Sequence, residues 1–130
     1  MTAPAVRLGF MKLNVPEMAP ALAFWQEAFG FIVTRTFDED SFVEHILAVP
    51  GQEEGPNLLL VQSRNGGPFS IGNSHGPVGL FCDDIEASHQ KALECGAARV
   101  TGIFDAGGVL VALLKSPEGH EIELVQLPQA

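Results

Sequence analysis

Tyrosine is absent from the 130 residues, cysteine occurs twice, and Lys and Arg together number only seven against sixteen Asp and Glu. The resulting net charge of −9 sets up a field that repels phosphate backbones and anionic bilayers, so nucleic-acid and membrane-surface roles are excluded. Two cysteines at positions 82 and 95 match neither a metal-binding nor a CxxC spacing, and both read as reduced packing residues. No apolar run is long enough to span a bilayer, and MTAPAVRLGF has no basic segment leading into an apolar core; the expected location is the cytoplasm. Also missing are GxGxxG, GxxxxGK, GxSxG and HExxH, leaving nucleotide binding, serine hydrolysis and zincin chemistry without support.

What is present is a composition that folds: 46% hydrophobic residues with only 18% charged. It is also a repeat. LNVPEMAPALAFWQEAFGF near residue 13 and LFCDDIEASHQKALECGA near residue 80 both read as a short apolar strand, an acidic helix start, an amphipathic helix and a glycine. Met18, Leu22, Trp25 and Phe29 form the stripe of the first helix, with Pro16 and Glu17 at its start and Gly30 at its end. Ile85, His89, Ala92 and Leu93 mark the second, with Asp83 and Glu86 spaced as a capping box and Gly96 closing it.

Three strand candidates follow each helix, at 31–37, 42–49 and 57–62, then at 98–104, 109–115 and 120–127. The matching ends LLLVQ and IELVQ close the two halves. The expected fold is α+β: two tandem βαβββ modules, about 5–63 and 77–128, joined by a Gly-, Asn- and Ser-rich linker at about 64–76. A sheet covered by one helix leaves its other face to be buried or used, so two curved mixed sheets around a shared cavity are predicted.

Alternation along a strand then selects the residues that look into that space. Met11, Leu13 and Val15 suit the underside of the helix, which turns Phe10, Lys12 and Asn14 toward the cavity. The same parity turns Asn57, Leu59 and Val61, Pro77, Gly79 and Phe81, and Glu121, Glu123 and Val125 inward. Among these, Phe10, Lys12, Asn14, Leu59, Gly79, Phe81, Glu121 and Glu123 are the expected ligand-binding set. A charge in a largely apolar pocket needs a partner, and Lys12 with Glu123 or Glu121 is the expected ion pair. The alternative makes Glu123 a general base, or the anchor for a cationic ligand group, with Lys12 or Asn14 holding a ligand oxygen.

The repeated order, the segment NVPEMAPALAFWQEAFGF and above all the turn-and-strand SPEGHEIELVQ resemble the vicinal oxygen chelate superfamily, which includes glyoxalase I, bleomycin-resistance proteins and extradiol dioxygenases. The resemblance covers nearly the whole chain and implies a homodimer. In metal-using members four ligands come from the first and last strands of the two modules; carried over, these positions are Phe10, Leu59, Pro77 and Glu123. Only Glu123 has a donor atom, whereas a divalent ion such as zinc needs about three or four protein ligands. No cofactor is therefore favoured; if a divalent metal is bound, Glu123 with His75 holds it, with His45 or Glu121 as further candidates. His120 reads as a turn residue and His89 as an edge-of-core histidine. Two functions stay open. One is a metal-free protein binding a small cationic or aromatic molecule between its modules. The other is an enzyme, a glyoxalase-like lyase or isomerase or a dioxygenase, using Glu123.

Overall fold

A computed structural model describes residues 3–129. The first module runs β1 (Phe10–Asn14), α1 (Met18–Phe29), β2 (Ile32–Asp38), β3 (Phe42–Ala48) and β4 (Asn57–Ser63). The second runs β5 (Val78–Phe81), α2 (Ile85–Glu94), β6 (Ala98–Arg99), β7 (Phe104–Ala106), β8 (Val109–Lys115) and β9 (Glu121–Gln126). Each module forms one mixed sheet, ordered β1-β4-β3-β2 and β5-β9-β8-β6, with β7 also pairing β8. In both, the first strand lies parallel to the last and the other pairings are antiparallel. The expected α+β repeat is thus the fold, and the two sheets do not close into a barrel. No helix among the described residues is long and apolar enough to cross a membrane.

Strand 98–104 is the exception, because it is split into β6 and β7. The Val100 and Thr101 N–H groups both donate to the Leu113 carbonyl, and the Leu113 N–H donates to Thr101 Oγ1 at 2.9 Å. A side chain thereby replaces one rung of the ladder, as at a bulge.

The shared VQ endings acquire a physical meaning. Gln62 Oε1 accepts the Met18 N–H at 2.7 Å, and Gln126 Oε1 accepts the Ile85 N–H at 2.8 Å. Each module's last strand therefore satisfies one of the free N–H groups that open its own helix. Helix α1 needs this, since Glu17 makes no side-chain cap. In α2 the cap is Asp84, whose carboxylate accepts the Ala87 N–H at 3.1 Å; the residue three on is alanine, so the expected capping box of Asp83 with Glu86 does not form. Gly30 ends α1 as expected, at φ 75°, a left-handed conformation that costs glycine nothing.

One core unites the modules. The helix-facing residues Leu13, Leu47, Leu58 and Leu60 of the first sheet and Val78, Ala112, Leu114, Ile122 and Leu124 of the second join side chains of α1 and α2 in a single buried cluster, and the two helices touch each other. Phe24, which lies beside the predicted stripe, is buried in it, while Leu22 and Phe29 are only partly buried.

Candidate functional site: the two outer sheet faces

Because Leu13, Leu60 and Leu47 point into the core, their neighbours along each strand point the other way. In the first sheet one cross-strand row of that outer face is Lys12, Leu59, Ile46 and Arg35, and the next is Asn14, Val61, Glu44 and Phe37. Phe10 stands opposite Asn57 in a third row. In the second sheet Gly79 aligns with Glu123 and Leu113, Phe81 with Val125, Val111 and Phe104, and Glu121 with Lys115. The residues selected by alternation thus do share faces, one per module. Both faces stand open in the single chain: Phe10 is 54% and Phe81 79% exposed. Leu59 differs, being 4% exposed, and forms floor.

The charged pair is not the expected one. Lys12 Nζ lies 2.8 Å from Glu44 Oε1. Glu44 is in β3, on the same face as Lys12, whereas Glu121 and Glu123 belong to the other module's sheet. Glu44 is buried, 6% exposed, and is the functional candidate that sequence reasoning missed. The available signal was a single acid in FVEHILAV, whose facing depends on the register of β3 against β4. The Phe10 ring centre is 5.8 Å from the same ammonium, within cation–π range, and Arg35 lies over Phe37 at 4.5 Å.

The histidines scatter. His45 pairs with Leu60, hence on the core side of its sheet, and its Nδ1 is 2.8 Å from Thr36 Oγ1. His75 is exposed and contacts only the carbonyl of Gly76 within hydrogen-bonding distance. His89 is buried as expected. His120 closes the SPEGH turn, where its carbonyl accepts the Ser116 N–H, and it is buried there at 3% exposed. Its N–H donates to Ser116 Oγ at 3.0 Å, and Phe69 of the linker meets its ring edge-on at 6.1 Å. Gly119 beside it has φ +103°, the left-handed region that favours glycine, and a Cβ there would lie in ordinary contact, 3.4 Å from the linker's Ile71. Burial holds the His120 imidazole below its ordinary protonation range; the Asn14 carbonyl opposes that and His75 adds to it. Burial also pushes the Glu118 carboxyl up, against hydrogen bonds from its own backbone and Ser116, and the Cys82 thiol up, in keeping with a packing role.

Nowhere among the described residues do three His, Cys, Asp or Glu side chains gather as a metal would require. Phe10, Leu59 and Pro77, which the resemblance sets beside Glu123, carry no donor atoms. The residues present do not fit a divalent ion.

Two mixed sheets, each built β-α-β-β-β with its first strand parallel to its last, define the glyoxalase and bleomycin-resistance class of α+β proteins. Residues 11–125 match the glyoxalase-like domain family, and the chain belongs to that family, within the vicinal oxygen chelate superfamily. It is 28% identical over 123 residues to a probable lactoylglutathione lyase of Vibrio parahaemolyticus, covering 91% of this chain and 88% of that one. Among solved structures, glyoxalase I of Zea mays superposes with a TM-score of 0.81 at 18% identity over 95% of this chain; the chain spans 46% of that protein. A glyoxylase/bleomycin resistance protein/dioxygenase domain from Frankia superposes with a TM-score of 0.77 at 14% identity, over 96% of this chain and all of the other.

Proposed function

We propose that this protein binds a small organic molecule against its outer sheet faces, without the metal used by other superfamily members. The observation that carries the reading is the donor-poor set Phe10, Leu59, Pro77 and Glu123, in faces that are apolar and aromatic with a few charges. Such a surface suits a ligand held by apolar contact and oriented by a small number of polar groups. Phe10, Lys12 and Asn14 line the face of one module and Gly79, Phe81, Glu121 and Glu123 that of the other. Both faces lie outside the one core that joins the modules, so enclosing a ligand takes a second copy; a homodimer supplies it. The first face carries Lys12 and Arg35 against Glu44, and the second Glu121 and Glu123 against Lys115, which leaves one excess positive charge facing one excess negative charge. The protein acts in the cytoplasm.

The test is calorimetric titration with small aromatic and cationic compounds before and after exhaustive chelation, beside sedimentation at several concentrations. Binding unchanged by chelator, on a dimer, is the expected result; binding that vanishes with chelation overturns the reading.

A second reading is supported by the lyases among the relatives. Glu123, half-buried on its face, then serves as the acid and base of a lyase or isomerase. Turnover of lactoylglutathione that Glu123→Gln abolishes would establish it.

A further inference from the structure

The ammonium of Lys12 shows where a cation rests on the first module's face. Its position is made by two groups of different kinds, a carboxylate at 2.8 Å and an aromatic ring centred 5.8 Å away. The two partners are unequally placed: the Glu44 side chain is 8% exposed and that of Lys12 50%. A carboxylate so deeply set is costly to leave without a counter-charge. The lysine that supplies the charge is a compact ammonium on a flexible stem reaching in from solvent, and it can swing away. The one other ion pair among the described residues, Arg64 with Asp38, has both members well exposed and makes no such site. Beside the cation position, Phe10 leaves 54% of its surface open, and Leu59 supplies apolar floor.

We propose that Glu44 and Phe10 form a binding site for the ammonium group of the ligand, and that Lys12 is a tethered placeholder which this group displaces. The inference rests on the reading of the faces as a small-molecule site and narrows the ligand to a compound joining an ammonium to an apolar or aromatic body. The net charge of −9 draws such a molecule to the protein.

Benzylammonium and its neutral counterpart benzyl alcohol serve as probes, titrated into the full chain at low salt. Removing the competing cation by Lys12→Met is expected to tighten benzylammonium binding about tenfold, a factor typical of one displaced contact, with benzyl alcohol unchanged. Glu44→Gln is expected to abolish the preference for the ammonium probe, and Lys91→Met, which alters net charge as Lys12→Met does but on the exposed surface of α2, to leave it as in the wild type. Since Lys12→Met strands a buried carboxylate and its folding is at risk, NMR of 13C-labelled lysine in the wild type gives an independent reading. There the Lys12 Cε signal should move, as benzylammonium saturates, toward its position in Glu44→Gln. Unchanged or weaker benzylammonium binding by folded Lys12→Met, or a Lys12 signal indifferent to the probe, overturns the proposal while alcohol binding sustains the broader reading. No binding of either probe to any variant counts against both.

Discussion

Around its helix, module one gathers aromatic rings, with Trp25 meeting Phe24, Phe29 and Phe31 at centroid distances of 5.5–5.8 Å. Module two fills the matching space with Ile85, Ala92, Ala112, Leu114, Ile122 and Leu124. The strands differ too: β2 is one seven-residue strand with a single register shift between Val33 and Arg35, while its counterpart is divided into β6 and β7. What survives in both halves is the parallel pairing of first and last strand and the glutamine that meets the helix N-terminus. The repeat therefore preserves how a helix is fastened to its sheet and leaves the filling free to change.

Truncating the filling is the harshest way to probe that difference. Trp25 is fully buried, and Trp25→Ala should cost about 3–5 kcal/mol. Leu124→Ala, its aliphatic counterpart, should cost about 2–5 kcal/mol and fall below the tryptophan change in the same host. Denaturant melts of both variants decide the order, and both should unfold in a single transition because one core spans the modules. Two separated transitions would break the account of a shared core.

The fastenings come next. Gln62→Leu strands the Met18 N–H of a helix with no side-chain cap, a loss of about 1–2 kcal/mol. Gln126→Leu should cost less, about 1 kcal/mol, because Asp84 still caps α2. Equal losses would show that the caps are not shared as described.

Smallest is the acid sensitivity of the turn that only module two possesses. The unfolded chain protonates His120 near pH 6.5, its ordinary value, while the folded chain resists until lower pH. Protons thus bind the unfolded state preferentially, and the stability His120 supports is complete above pH 6.5 and declines as pH falls below it. Folding free energies of wild type and His120→Gln, measured from pH 8 downward, should converge as the solution is acidified; a constant difference would contradict this.

Much of this was legible without a structure. Alternation in FMKLN placed Phe10, Lys12 and Asn14 on one face because β1 has one side under a helix, and that depends only on local order. The facing of Glu44 was not legible, since the register of β3 against β4 decides it and the intervening turn hides that register. Nor was the burial of His120, which Phe69 and Ile71 bring about from fifty residues back along the chain. The break between β6 and β7 comes from a hydrogen bond between Thr101 and Leu113, a tertiary contact with no signature in RVTGIF. Asp83 and Asp84 are adjacent acids, and only the backbone geometry of Asp84 shows which of them caps α2.

On the proposed reading the chain keeps the superfamily's framework without a set of metal donors. Elemental analysis of tag-free protein after incubation with nickel, manganese, zinc and ferrous iron, followed by desalting, tests it most directly. The account predicts retained metal far below stoichiometry with every ion; a near-stoichiometric content of any of them, lost on Glu123→Gln, would contradict it.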